Sequence, residues 1–145
     1  MKSSLKRKII SCINVKIKTN ETMATKTKIL VVDDDPMNLK FLKEILSDEY
    51  NIKAALSGEE ALEIIFDFMP EILLLDIMMP GIDGYEVCKK IKANEKLANI
   101  IILLVSAKAM LNEKLRGFEV GADDYITKPF EHEELLAKIK VFIRQ

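Results

Sequence analysis

Three aspartates that directly follow two apolar runs could together bind a metal ion and support phosphate chemistry. Asp33 and Asp34 come directly after the apolar run at 29–32, and Asp76 comes directly after the run at 72–75. If both runs are neighbouring strands, about 4.8 Å apart, these three carboxylates lie close together and repel one another. A hard divalent cation relieves that repulsion, and Mg²⁺ prefers a few carboxylate or carbonyl oxygens together with water and a phosphate. The pattern therefore predicts a magnesium site.

A carboxylate in such a place can attack phosphorus and form an acyl phosphate. That reaction needs charge neutralisation and an in-line approach more than acid–base chemistry. Lys128 and Ser106 follow two further apolar runs and can supply a cation and a hydroxyl donor. Each has a simpler explanation: Lys128 as a solvated loop residue, Ser106 as a turn residue. Asp35 before Pro36 fits a helix cap, whereas Asp76 does not, so a capping role does not explain Asp76.

The elements that must position these residues alternate regularly from Lys28 onward. Five short apolar runs without polar alternation predict buried parallel strands, and five amphipathic stretches between and after them predict helices. Such a pattern indicates an α/β fold with helices on both faces of the sheet. Its site is expected where the carboxyl ends of the strands meet. The predicted strands are Ile29–Val32, Ile52–Leu56, Ile72–Leu75, Ile100–Val105 and about Asp124–Thr127.

The chain has 145 residues, 49% of them apolar and 31% charged, which suits one globular domain. Its net charge of −1 is a cancellation, because residues 1–24 carry +5 and residues 25–145 carry −6. We expect residues 1–24 to be a disordered basic extension, and residues 1–22 to be an upstream misassigned start or, as the alternative, a weak tether to an anionic surface. The domain is then residues 25–145, and its acidity disfavours nucleic-acid binding.

The two cysteines, Cys12 and Cys88, form no disulfide framework and no metal-ligand spacing. Reduced cysteines favour a cytoplasmic protein. The apolar part of the N-terminal region is interrupted by polar residues and lacks a small-residue cleavage pattern, which argues against a signal peptide. No apolar stretch reaches the 18 or so residues of a membrane span, so none is predicted.

Four motifs follow one another at the predicted strand ends: Ile29-Leu30-Val31-Val32-Asp33-Asp34-Asp35, Leu75-Asp76-Ile77-Met78-Met79-Pro80-Gly81-Ile82-Asp83-Gly84, Val105-Ser106-Ala107 and Gly121-Ala122-Asp123-Asp124-Tyr125-Ile126-Thr127-Lys128-Pro129-Phe130. With these motifs, residues 28–145 resemble the receiver domain of two-component response regulators, and in particular the single-domain chemotaxis regulator of the flavodoxin-like fold. The resemblance implies a five-stranded parallel sheet in the order 2-1-3-4-5, five helices, and phosphorylation of Asp76.

By position, the resemblance also implies residue roles. Asp34, Asp76 and the backbone carbonyl of Met78 would bind Mg²⁺ directly, and Asp33 would act through a bound water. Ser106 and Lys128 would hold the phosphoryl group, and the ring of Tyr125 would turn inward as the switch aromatic. The Lys128–Pro129 bond would be cis. The residues to which the resemblance gives a role are therefore Asp33, Asp34, Asp76, Met78, Ser106, Tyr125, Lys128 and Pro129.

The implied protein is a switch and no enzyme in the usual sense, since it catalyses only its own phosphoryl transfer and dephosphorylation. The fourth helix, fifth strand and fifth helix would form the readout face for a downstream protein. His132, the only histidine, lies among glutamates, so the phosphoryl group would come from a separate histidine kinase, phosphotransfer protein or small donor. Met78 and Lys108 occupy positions that influence acyl-phosphate hydrolysis in this family, and they predict a long-lived phosphoryl group.

Two rival functions are weaker. An FMN-binding flavodoxin-like protein would need hydroxyls and backbone donors after the first strand, where this chain has three aspartates. An aspartyl-phosphate hydrolase would need a second aspartate at Met78. The sequence ends at Gln145, which predicts either a stand-alone receiver or a piece of a longer regulator or hybrid kinase, and dimerisation on phosphorylation stays open.

Overall fold

Five strands alternate with five helices in the computed structural model, which describes residues 26–107 and 111–143. The predicted extension at residues 1–24 and Lys108 therefore lie outside the described residues. In chain order the elements are β1 (Lys28–Val32), α1 (Pro36–Leu46), β2 (Asn51–Ala55), α2 (Gly58–Phe68), β3 (Ile72–Asp76), α3 (Gly84–Lys92), β4 (Ile101–Ser106), α4 (Leu111–Glu119), β5 (Asp124–Thr127) and α5 (His132–Ile143).

The strands form one parallel sheet in the order β2-β1-β3-β4-β5, which confirms the predicted fold class. Val32 of β1 lies beside Leu75 of β3, so the residues that follow them emerge side by side. Ser106 of β4 lies beside Thr127 of β5. The register therefore brings the ends of β1, β3, β4 and β5 to one edge of the sheet, which we call the carboxyl edge.

Hydrophobic clusters cover both faces of the sheet. Leu30, Leu73 and Leu75 belong to one cluster, whereas Ile29 and Leu74 belong to the other. All five residues of β3 are buried, because this central strand has helices above and below it. Burial on both faces explains why the strands show no alternation of apolar and polar residues.

Local signals set the helix ends. The Asp35 side chain accepts a hydrogen bond from the Met37 N–H and caps α1, as the sequence predicts. Ser57 caps the start of α2 by accepting a hydrogen bond from the Glu60 N–H. After the last helical residue, Phe68, the C-cap residue Met69 has a left-handed backbone (φ 48°) just before Pro70. A non-glycine residue in that region is uncommon, and it turns the chain back toward β3.

The predicted strand bounds are wrong by one residue at six places, namely the starts of β1, β2 and β4 and the ends of β2, β3 and β4. β2 ends at Ala55, because the Leu56 N–H donates to the Glu60 carboxylate (3.1 Å) and so belongs to the start of α2. β4 begins at Ile101, because the Ile100 N–H donates to the Leu97 carbonyl (3.0 Å) in the preceding turn. Within residues 26–107 and 111–143, none of the helices combines the length and apolar content that a bilayer crossing requires.

Candidate functional site

The carboxyl edge carries three aspartates whose ligand atoms all lie within 4.8 Å of one another: Asp33, Asp34 and Asp76. Asp33 and Asp76 are 4% and 6% exposed, whereas Asp34 is open to solvent. The pairing of β1 with β3 causes this proximity, since Asp33 and Asp76 each follow or end a buried strand at the same register level. We call these three residues the acid cluster.

Lys128 is the cation that meets the acid cluster. Its Nζ lies 3.0 Å from Asp33 Oδ2 and 3.7 Å from Asp76 Oδ2. Its backbone N–H donates to the Ser106 carbonyl (2.7 Å), which fixes the start of the β5–α5 connection beside β4. The Lys128–Pro129 peptide bond is cis. Two carboxylates of the acid cluster thus share one ammonium.

The electrostatic balance of this site is visible in Asp76. The pKa of the Asp76 carboxyl is raised to about 6, chiefly by burial and also by the nearby Asp33 and Asp34, against the lowering effect of Lys128 and the Met78 backbone N–H. The charged form is therefore destabilised despite its cationic neighbour. A second positive charge at this carboxylate would be favourable.

Asp33 is held more firmly than Asp76. Its Oδ1 accepts from the Asp35 N–H (2.9 Å), and its Oδ2 accepts from Lys128 Nζ and from Asn38 Nδ2 (3.1 Å). The sequence reasoning missed Asn38. The available signal was its position in the first turn of α1, five residues after Asp33, where a short amide side chain can reach back to the end of β1.

The acid cluster fits a hard divalent cation. Its donors are carboxylate oxygens, one of which is exposed and can be reached from solvent. Mg²⁺ takes such oxygens with several waters, and added positive charge would stabilise the ionised form of the buried Asp76 carboxyl, whose pKa is raised. The residues present therefore suit the ion that the sequence predicts.

Comparison with known proteins agrees with the geometry. Residues 29–140 match the family model of the response regulator receiver domain. The DNA-binding dual master transcriptional regulator RpaA of Synechocystis is 34% identical over 119 residues, which cover 81% of this chain and 49% of that protein. The chain belongs to the response regulator receiver domain family.

Solved receiver structures share its fold. The BeF3-activated receiver domain of DrrB, a Thermotoga maritima protein, is 38% identical with a TM-score of 0.77, and the match covers 83% of this chain and all 100% of that one. Chemotaxis protein CheY4 of Vibrio cholerae is 27% identical with a TM-score of 0.78, over 81% of this chain and 99% of that one. The predicted family is confirmed.

This receiver domain spans about half the length of the curated relatives it matches. The DNA binding named for RpaA is a property of that whole protein. Our prediction of no nucleic-acid contact concerns residues 25–145 alone. Because RpaA is DNA-binding, that prediction does not extend to a longer protein that contains this domain.

The other predicted residues of the receiver domain occupy different surroundings. Ser106 ends β4 and is 1% exposed, and Met78 is 62% exposed with its N–H directed to Asp76. Tyr125 is buried, and Lys114 Nζ lies 5.8 Å from the centroid of its ring. Tyr125 thus lies in the core beside α4. It belongs to β5, the strand that leads to Lys128.

Glycine is required where α3 approaches the site. A Cβ at Gly84 would lie 2.6 Å from the Asp76 carbonyl oxygen and 2.8 Å from the Ile77 Cα. The Gly84 N–H donates to the Ile77 carbonyl (2.9 Å). This close approach holds the β3–α3 loop against the end of β3, so the chain that carries Met78 folds back over Asp76.

Beside the acid cluster lies a cavity of about 410 Å³ between α1 and α5. Asp33, Asp76, Asn38 and Lys128 form its polar part, and the rest of its wall is apolar. The sequence reasoning did not anticipate this cavity, since its walls come from five separate segments of the chain.

Proposed function

We propose that this receiver domain accepts a phosphoryl group on Asp76, with Mg²⁺ held by the acid cluster, and so works in a two-component phosphorelay. The observation that carries the proposal is the state of Asp76. It is a buried carboxyl at the end of the central strand, its pKa is raised to about 6, and Lys128 lies 3.7 Å away. A carboxylate destabilised by burial gains more than an ordinary one from added positive charge.

Each residue has a defined task in this proposal. An oxygen of Asp76 attacks phosphorus in line with the leaving group of the donor, and an acyl phosphate forms as the bond to that group breaks. Lys128 donates to a phosphoryl oxygen, and Ser106 donates its hydroxyl to another. Asp34, Asp76 and the Met78 carbonyl would hold Mg²⁺, with Asp33 acting through a water. The ion supplies charge neutralisation between the carboxylates and the phosphoryl oxygens.

The proposed output is a change of packing at β5. Phosphorylation adds about −1.5 to −2 charge and new acceptor oxygens, which draw Lys128 and Ser106. Tyr125 lies on the same strand and contacts α4 through Lys114, so a shift of β5 reaches the face formed by α4, β5 and α5. The phosphoryl group biases this equilibrium by its differential interaction with the two states.

The proposed partners follow from the same chemistry. The donor is a histidine kinase, a phosphotransfer protein or a small phosphate donor, because His132 lies on the exposed first turn of α5 among glutamates. The target is a protein that binds the face formed by α4, β5 and α5. We propose a cytoplasmic location, either as a stand-alone receiver or as the receiver of a longer regulator or hybrid kinase.

Acetyl phosphate or beryllofluoride with Mg²⁺ tests the proposal. Intact mass is measured for the wild type and for Asp76→Asn after incubation with acetyl phosphate. We expect one Mg²⁺-dependent phosphoryl adduct on the wild type and none on the variant. Size-exclusion chromatography with beryllofluoride reports any change of oligomeric state.

The matched control is Asp123→Asn, which changes a carboxylate of a different lysine pair. It should accept phosphate as the wild type does. A wild type that gains no mass, or an Asp76→Asn variant that gains as much as the wild type, would contradict the proposal.

A further inference from the structure

The ammonium of Lys128 is placed for the resting site and has to be shared again when a phosphoryl group arrives. Its Nζ lies 3.0 Å from Asp33 and 3.7 Å from Asp76. A phosphoryl group on Asp76 would bring new anionic oxygens on the Asp76 side of this cation. Among the residues that the structure describes, Lys128 is the cation paired with the acid cluster. We expect its N–H donors to be shared with those oxygens, so that its hold on Asp33 weakens.

That weakening has a cost at Asp33. Its carboxylate is 4% exposed, and a buried charge that loses its partner is strongly destabilised unless other donors remain. The Asp35 N–H bonds the opposite oxygen, Oδ1. On Oδ2, the oxygen that Lys128 would leave, the remaining donor is Asn38 Nδ2 at 3.1 Å.

We propose that Asn38 is a positioning residue that lets Asp33 release Lys128 to the phosphoryl group. Its amide belongs to the first turn of α1 and lines the same cavity as Asp33, Asp76 and Lys128. By supplying a donor that stays on Asp33 Oδ2 in both states, Asn38 lowers the free energy needed to transfer the ammonium. This inference rests on the proposed function.

The proposal separates two affinities. We expect Mg²⁺ binding by itself to leave the Lys128–Asp33 pair in place, whereas a phosphoryl analogue draws Lys128 toward Asp76 and weakens that pair. Loss of the Asn38 donor should therefore weaken analogue binding more than Mg²⁺ binding. A merely structural role for Asn38 would weaken both affinities by a similar factor.

The test uses the full chain with three substitutions. Asn38→Leu keeps a similar volume and removes the donor, Asn38→Gln keeps an amide, and Met37→Ala changes an exposed residue on the same turn of α1. Mg²⁺ affinity is measured by calorimetry in the absence of beryllofluoride. Beryllofluoride affinity is then measured by amide NMR at saturating Mg²⁺. If Asn38→Leu does not fold, Asn38→Ala replaces it.

We expect Asn38→Leu to bind beryllofluoride about tenfold more weakly, equivalent to ~1.4 kcal/mol, with Mg²⁺ affinity within about threefold of the wild type. Asn38→Gln should recover most of the loss, and Met37→Ala should bind as the wild type does. Unchanged analogue affinity in Asn38→Leu, equal losses of both affinities, or no recovery in Asn38→Gln would overturn the inference alone. A wild type that binds no beryllofluoride with Mg²⁺ would instead overturn the proposed function.

Discussion

Two of the lysine–aspartate groups beside the sheet, Lys92 with Asp123 and Lys128 with the acid cluster, differ in the balance of charge. Lys92 pairs with Asp123 at 3.4 Å and also donates to the carbonyls of Ala98 and Ile100. Asp123 in turn accepts from the Ile102 N–H (2.8 Å). One cation meets one anion, and backbone groups complete the set. This group therefore links α3 to the starts of β4 and β5 and has a structural role.

The acid cluster has the opposite balance. Three carboxylates lie together, and one ammonium pairs with the two that are buried. The pKa of Asp76 is raised to about 6. A structural link satisfies its charges within the protein, whereas a site that awaits a cation and a phosphoryl group leaves them unsatisfied. Both groups are built from lysine and aspartate. The acid cluster differs from the Lys92–Asp123 pair in having more carboxylates than ammonium groups.

The largest expected effect comes from replacing each of the two lysines, Lys128 and Lys92, with methionine. Lys128→Met leaves buried carboxylates without their cation, and breaking such a pair costs about 3–5 kcal/mol of unfolding free energy. Mg²⁺ should restore most of that stability, since it supplies the missing charge. Lys92→Met should also destabilise the domain, by about 1–3 kcal/mol, but without restoration by Mg²⁺. Urea unfolding with EDTA and with Mg²⁺ measures both.

Phosphoryl uptake from acetyl phosphate sharpens the same pair. Lys92→Met should accept phosphate at the rate of the wild type, and Lys128→Met should be slower by at least about tenfold, because it loses a donor to the phosphoryl oxygens. If Mg²⁺ restored both variants equally, or neither, the distinction between site and link would be lost.

A smaller effect is expected from pH in the metal-free protein. The folded-state pKa of Asp76, about 6, lies above the ordinary value of 3.8, so the folded state binds the proton more tightly than the unfolded state does. This contribution is fully present below about pH 4 and is lost as the pH rises through about 6. Its size is on the order of 3 kcal/mol.

Urea unfolding in EDTA between about pH 4 and 7.5 measures this contribution. The wild type should lose stability over that range relative to Asp76→Asn, which has no carboxyl to titrate at this position. Asp123→Asn serves as the control and should keep the pH dependence of the wild type. Parallel curves for the wild type and Asp76→Asn would contradict the raised pKa.

The smallest expected effect concerns the lifetime of the acyl phosphate. Met78 is exposed beside Asp76 and cannot hydrogen-bond a water, so the phosphoryl group should be long-lived. Met78→Asn adds a polar group that can orient water, and it should shorten the lifetime severalfold. The phosphoryl group is followed by intact mass after removal of the donor. Loss from the wild type within seconds would contradict the prediction.

Much of this was predictable from sequence, and the reasons are local. The strands are continuous apolar runs, and helix signals such as Asp35 before Pro36 act within a few residues. Because the ends of parallel strands meet at one edge, Asp76 and Lys128 could be assigned to one site. The end of β2 was missed because the Leu56 N–H bonds a side chain of α2. The start of β4 was missed because the Ile100 N–H bonds a carbonyl of the preceding turn.

The amino-acid sequence by itself determined the α/β pattern, the family and the candidate nucleophile, since these depend on residue types at strand ends. Only the tertiary structure decided how the charge is shared. Whether Lys128 lies nearer Asp33 or Asp76, and whether Asn38 reaches Asp33, depends on how α1 and the β5–α5 connection pack at the carboxyl edge. Distances of a few tenths of an ångström settle such partners, and they arise from packing between segments distant in the chain.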